Sequence, residues 1–202
     1  MMISLFLFNF FFSIGSFDEP SCLILKMKSD PMLRGKDSIE LVFSVKNCSK
    51  DNLILYNLAE AVEAEEFEES NYCNPNITAG ITLFIYDANS EMMLPNIEFA
   101  DSIAVRPHLD EWFTKLVNKA RSEFHKNMRV ANADQNIELK STVGLKRFHL
   151  KKGTYSLMLI YFAGENISNL VSADQMDADQ RKHNAKIYQG CARSNKITFV
   201  VK

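Results

Sequence analysis

From Ser38 to Lys46 the chain alternates: Ile39, Leu41, Phe43 and Val45 take one set of positions, and Glu40, Val42, Ser44 and Lys46 the other. Successive side chains of a strand point to opposite faces, so a period of two gives one apolar face and one mixed face. Six further runs share this character: residues 22–28, 52–57, 80–87, 137–150, 154–163 and 196–202. Seven short runs punctuated by Gly, Asn and Asp predict a mainly β chain folded as an antiparallel sandwich. The 202 residues, 47% of them hydrophobic, suit one domain with insertions. Between runs, "PMLRGK" (31–36) reads as the connection joining the first two strands, and Ala88, Asn89 and Ser90 as a hairpin tip.

Two stretches break the alternation and predict helical insertions near 57–70 and 107–129. The first carries six glutamates and is helix-prone. In the second, Leu109, Trp112, Phe113, Leu116, Val117, Ala120 and Phe124 fall on one stripe of a helix. Asp110 and Glu111 near its start and Lys126 and Arg129 near its end suit the helix dipole. Trp112 and Phe113 are either core or contact surface. Residues 172–186 read as a short helix or a loop.

The N-terminus is different. Ile3 to Phe12 is apolar except for Ser4 and Asn9, and Ser13, Ile14 and Gly15 follow at cleavage spacing. This resembles a secretory signal peptide over residues 1–15, although no Lys or Arg precedes the run. The run is shorter than the roughly 20 residues of a membrane span. A mature chain of 16–202, secreted or periplasmic and without a transmembrane segment, is therefore expected. Asp18, Glu19 and Pro20 ahead of Cys22 do not form a lipobox. A net charge of -2 gives no electrostatic basis for nucleic-acid or anionic-membrane binding.

Four cysteines, Cys22, Cys48, Cys73 and Cys191, remain in the mature chain. An even count in an exported protein predicts disulfides, with three possible connectivities, and no C-x-x-C motif points to zinc. Cys22 opens the first strand, Cys48 follows the second and Cys191 precedes the last, so an antiparallel sandwich gathers all three at one pole. At least one disulfide is expected there, with Cys73–Cys191 preferred because it staples two long loops. The other connectivities fit the same geometry.

"LKKGTY" (150–155) has the parts of a tyrosine corner: a strand end, Gly153 for the turn, and Tyr155 opening the next strand with its hydroxyl reaching back to backbone. Beyond it Leu157, Leu159 and Tyr161 share one face and Met158, Ile160 and Phe162 the other, as in a central strand. With "LVFSVKN" (41–47) and "GCARSNKITFVV" (190–201), in which Ser194-Asn195 reads as a turn, this corner resembles bacterial secreted immunoglobulin-like modules. The intracellular proteinase inhibitors of bacilli and many secreted adhesion-type modules look similar. The resemblance spans roughly half the chain and implies an immunoglobulin-like sandwich. Leu157 stands where the antibody-type inter-sheet cysteine would be.

Catalytic patterns are missing. His108, His125, His149 and His183 lack ligand spacing, and no G-x-S-x-G occurs. "DANSE" (87–91) and "DQMDADQ" (174–180) space oxygens as calcium loops do but lack the EF-hand glycine and distal glutamate. Asn47, Asn76 and Asn166 begin glycosylation triplets. The expectation is a non-enzymatic binding module without cofactor or metal, its partner a protein or envelope component. A proteinase-inhibitor-like protein acting through a loop is the alternative.

Overall fold

The computed structural model describes residues 22–28, 32–34, 38–58, 61–63, 73, 80–94, 121–122, 124–164, 167–168 and 170–201. The signal-like segment, most of the 107–129 stretch with Trp112 and Phe113, and Asn76 and Asn166 lie outside them.

The chain is a mainly β antiparallel sandwich. In one sheet β3 (Ser38–Asn47) is central. On one side it pairs along its length with β9 (Asn136–Gly144), from Ser38↔Gly144 to Lys46↔Asn136. On the other it pairs with β1 (Leu23–Met27) and β2 (Met32–Arg34) in turn. In the facing sheet β10 (Gly153–Ala163) is central. It pairs with β6 (Gly80–Tyr86) on one side and with β12 (Gly190–Arg193) and β13 (Ile197–Val201) on the other. β6 is flanked in turn by β5 (Ala61–Glu63), parallel, and by β7 (Met92–Met93), antiparallel.

The alternation explains the layering. Leu25, Met27, Ile39, Leu41, Phe43 and Val45 from one sheet meet Ile81, Leu83, Ile85, Leu157, Leu159 and Tyr161 from the other in a single core. Burying an aliphatic or phenylalanine side chain there contributes about 1.5–3 kcal/mol each. The uncharged run in β10 has a second cause. Met158, Ile160 and Phe162 turn outward, yet with Phe84 and Tyr86 they form a second buried cluster on the outer face of this sheet.

The tyrosine corner is present: Tyr155 Oη donates to Lys151 O at 2.9 Å, and the ring packs on Phe199 with centroids 5.6 Å apart. Gly153 plays a smaller part than its position implied. A methyl there would make ordinary contacts of 3.8–3.9 Å with Tyr155. The left-handed residue of the corner is His149, φ 46°, closing the short helical turn Lys146–Phe148. The hairpin at 88–90 also stands: Asp87 N donates to Glu91 O, and Asp87 Oδ1 accepts from the amides of Asn89 and Glu91. Because the carboxylate is spent on the turn's own amides, "DANSE" is a hairpin tip.

Three expectations need correction. "PMLRGK" is not wholly a connection, since Met32–Arg34 is a strand that pairs with Ser38–Glu40 of β3, on the same side as β1. Ser194-Asn195 is a bulge rather than a turn. One extra residue sits between Arg193↔Ile160 and Ile197↔Leu157. Ser194 Oγ accepts the Leu159 amide, and Asn195 Oδ1 accepts the Met27 amide across the sheets at 2.9 Å. Such bulges twist edge strands away from intermolecular pairing. Finally, the described part of 57–70 is not helical. Asn57 is in a turn and Ala61–Glu63 is a strand beside Ile81–Leu83, so sheet pairing overrides local helix propensity.

Candidate functional site

Strand directions put every short connection at one end of the sandwich: 35–37, 87–91 and 145–152. The long connections, 48–79, 94–135 and 164–189, all leave from or return to the other end. That end is the insertion pole. In the second insertion, residues 121–122 and 124–126 are helical, as the stripe predicts, and Phe124 is buried against Tyr56, ring centroids 5.8 Å apart. The third carries α1 (Ala173–His183), capped by Ser172 Oγ accepting the Gln175 amide.

Backbone pairing knits the insertions together. β4 (Leu53–Leu55) from the first pairs with β8 (Arg129–Ala131) from the second, antiparallel. It pairs with β11 (Lys186–Ile187) from the third, parallel. The alternating run 52–57 is thus a strand outside the two main sheets. Asn52 Oδ1 accepts the Ala133 amide and Asn52 Nδ2 donates to Asn184 O. Leu58 N donates to Asn127 O.

Two buried polar side chains anchor this assembly. Asn47, at the end of β3, is fully buried. Its Nδ2 donates to the carbonyls of Asp51, Ala131 and Asn132 at 2.7, 3.0 and 3.1 Å, and its Oδ1 accepts from Ser49 N and Oγ. The Asn47-Cys48-Ser49 triplet is therefore a structural knot whose side-chain amide is spent on backbone.

The second anchor is Asp179 of α1, 3% exposed. Its Oδ2 accepts from Tyr56 Oη and faces His125 Nε2, both at 2.9 Å, and its Oδ1 accepts from Gln175 Nε2 at 2.9 Å. Tyr56, His125 and Asp179 come from the three different insertions. Tyr161 of β10 adds a bond from its hydroxyl to Tyr56 O. Burial acts to raise the Asp179 carboxyl, but the hydrogen bonds from Tyr56, Gln175 and His125 outweigh it and hold the group below its usual value. Burial drives the Tyr56 and Tyr161 hydroxyls upward, and that of Tyr188 to about 12. Tyr56 and Tyr161 stay protonated as donors. A half-exposed histidine backed by a buried carboxylate has the form of an acid–base pair. Asp179 spends its oxygens on three insertions, however, and all four cysteines are oxidised.

The sign of the Asp179 shift sets a pH dependence. A carboxyl lowered on folding contributes stability above the ordinary aspartate value, near 3.9. That contribution is lost as pH falls through the lower folded value. Below pH 5 the stability of the native protein is expected to fall more steeply than that of Asp179→Asn, which at neutral pH is less stable by about 1–2 kcal/mol. Urea midpoints between pH 2.5 and 7 check this; parallel curves would remove Asp179 as the acid-sensitive group.

The cysteines pair as Cys22–Cys48 and Cys73–Cys191, Cα atoms 5.0 and 5.6 Å apart, both at the insertion pole. The preferred pairing is the one formed. Cys48 N also donates to Cys22 O, tying the start of β1 to the end of β3. His149 belongs to the corner at the opposite end.

Beside these anchors lies an open cleft of about 520 Å³ between residues 50–52 and α1. Lys50, Asp51, Asp177, Arg181 and Lys186 give it mixed charge. Asp51 pairs with Lys186 at 2.9 Å. Sequence reasoning missed Tyr56, Asp179 and the cleft. The signal at hand was Ser172 followed at three residues by Gln175, a helix start in front of "DQMDADQ". Among the described residues no helix is long and apolar enough to cross a membrane, and no cluster of acidic, histidine or cysteine side chains could hold a metal ion. No protein-family model and no curated protein sequence matches the chain.

Proposed function

We propose that the protein is an exported, non-enzymatic binding module of the immunoglobulin-like kind, secreted or periplasmic, whose partner docks on the insertion pole. One observation carries the reading: all three long insertions converge on one end of a rigid sandwich and are tied there by a small sheet, Asn47 and Asp179. Elaborated loops on a rigid scaffold are where binding concentrates, and ties between them hold that surface in one shape before contact. Two disulfides suit an oxidising compartment, as does the signal-like N-terminus. The partner class is a protein or an envelope component.

Matched charge reversals at the two poles test this. Lys126→Glu/Lys182→Glu alters exposed side chains of the insertion pole; Lys151→Glu/Lys152→Glu alters the opposite end. Against a surface or secreted fraction, the first pair is expected to weaken capture of a specific partner about tenfold or more, with the second pair unchanged. The reverse pattern, or equal capture by all three proteins, would overturn the reading. Saturable inhibition in a protease panel would replace it with the proteinase-inhibitor alternative.

A further inference from the structure

The cleft is built rather than incidental. Its floor is fixed on one side, where Asn47 Nδ2 and Ser49 Oγ both hold the Asp51 carbonyl. Lys186 N donates to Asn52 O, which registers that floor against the strand after α1. Its other wall is α1, whose roll is set by Asp179. At 100° per residue, positions two before and two after Asp179 lie about 160° from it and about 40° from each other. The inward pull on Asp179 therefore turns Asp177 and Arg181 together to the outside, into the cleft. Both are exposed, and neither side chain has a hydrogen-bond or ion-pair partner among the described residues. With Asp51 and Lys186 paired, the cleft offers, beside Lys50 at its rim, the Asp177 carboxylate and the Arg181 guanidinium one helical turn apart, roughly 5–6 Å between Cβ atoms.

We propose that this cleft binds a small zwitterion, an amino acid or short peptide, with its carboxylate on the Arg181 fork and its ammonium on Asp177. Guanidinium matches carboxylate in a bidentate pair, and each charge-assisted bond is stronger than a neutral one. This rests on the binding-module reading and names one ligand class for the same pole.

The test is a chemical-shift titration of the disulfide-intact, ¹⁵N-labelled chain with glycine, diglycine, glycinamide and acetate. Glycine or diglycine is expected to shift the amides of 50–52 and 177–186 saturably, and whichever binds tighter distinguishes a free amino acid from a peptide. Glycinamide and acetate, each lacking one charge, are expected to bind about tenfold or more weaker, and Arg181→Gln and Asp177→Asn to weaken the zwitterion by a similar factor. Equal shifts from acetate or glycinamide, no saturable shift, or unaltered binding by both variants would overturn the proposal. These variants leave Lys126 and Lys182 in place. Absence of saturable zwitterion binding by the native chain with partner capture intact therefore overturns the cleft alone, and loss of pole-specific capture overturns the module reading.

Discussion

Asn47→Ala is expected to lower the stability of the protein by about 3–5 kcal/mol. The side chain is small, so little of this is apolar burial. The loss comes from what it leaves behind. The carbonyls of Ala131 and Asn132 lose this donor, that of Asp51 keeps only Ser49 Oγ, and Ser49 N loses its acceptor. A buried polar group left unpaired costs about 1–3 kcal/mol, and the bond to Ala131 is buried while those to Asp51 and Asn132 are partly so. Asn47→Asp discriminates the cause. It keeps an acceptor for Ser49 but brings a carboxylate against three carbonyl oxygens, so it is expected to be no better than alanine. Chemical denaturation of the three proteins measures both effects. A stable aspartate variant would show that the donor half of the amide is dispensable.

Replacing Cys73 and Cys191 together by serine is expected to cost about 2–5 kcal/mol. The bridge closes 118 residues of sequence separation, against 26 for Cys22–Cys48. In the chain-entropy account, the longer loop constrains the unfolded ensemble more. The bridge also joins the first insertion to β12, where Cys191 pairs opposite Phe162 and both cysteines pack on the second apolar cluster. The loss should therefore be accompanied by faster amide exchange in β12 and the adjoining part of β10. The Cys22–Cys48 knock-out should affect β1 and the end of β3 instead. Thermal midpoints and hydrogen exchange on the two double-serine proteins check this; equal loss with the same exchange pattern would mean the bridges do not act locally.

The strands were legible because alternation is a local signal: Ile39 to Val45 declares its buried face without reference to any other part of the chain. The corner was legible too, since Tyr155 and the carbonyl it binds are four residues apart. Strand directions place Cys22, Cys48 and Cys191 at one pole but leave three connectivities open; the preference for Cys73–Cys191 rests on its stapling two long loops, and the structure selects it. Elements that depend on distant partners were hidden. Nothing near Asp179 marks it as a buried anchor, because two of its partners, Tyr56 and His125, lie 123 and 54 residues away. Asn47 looked like a strand end, and its carbonyl partners at Ala131 and Asn132 lie 84 and 85 residues away. The glutamates of 57–70 gave a sound local preference that the free edge of β6 outcompeted at Ala61–Glu63. The Ser194-Asn195 pair has turn composition, but its side chains replace ladder hydrogen bonds at a bulge, which composition alone does not distinguish.

The insertion pole also orders the folding reaction in time. Its ties include spans of 54, 84 and 123 residues, and its small sheet takes one strand from each insertion. None of these can close until β3, β9 and β10 have brought the ends of all three insertions together. Because loop-closure entropy is spent before such contacts return anything, contacts of this range form slowly and late. Oxidation of Cys73 with Cys191 waits on the same convergence, whereas Cys22 and Cys48 meet as soon as β1 pairs with β3. A folding chain is therefore expected to pass through a species with one bridge made and a formed sandwich under an open cap. In that species the two remaining thiols are the last groups still exposed to exchange.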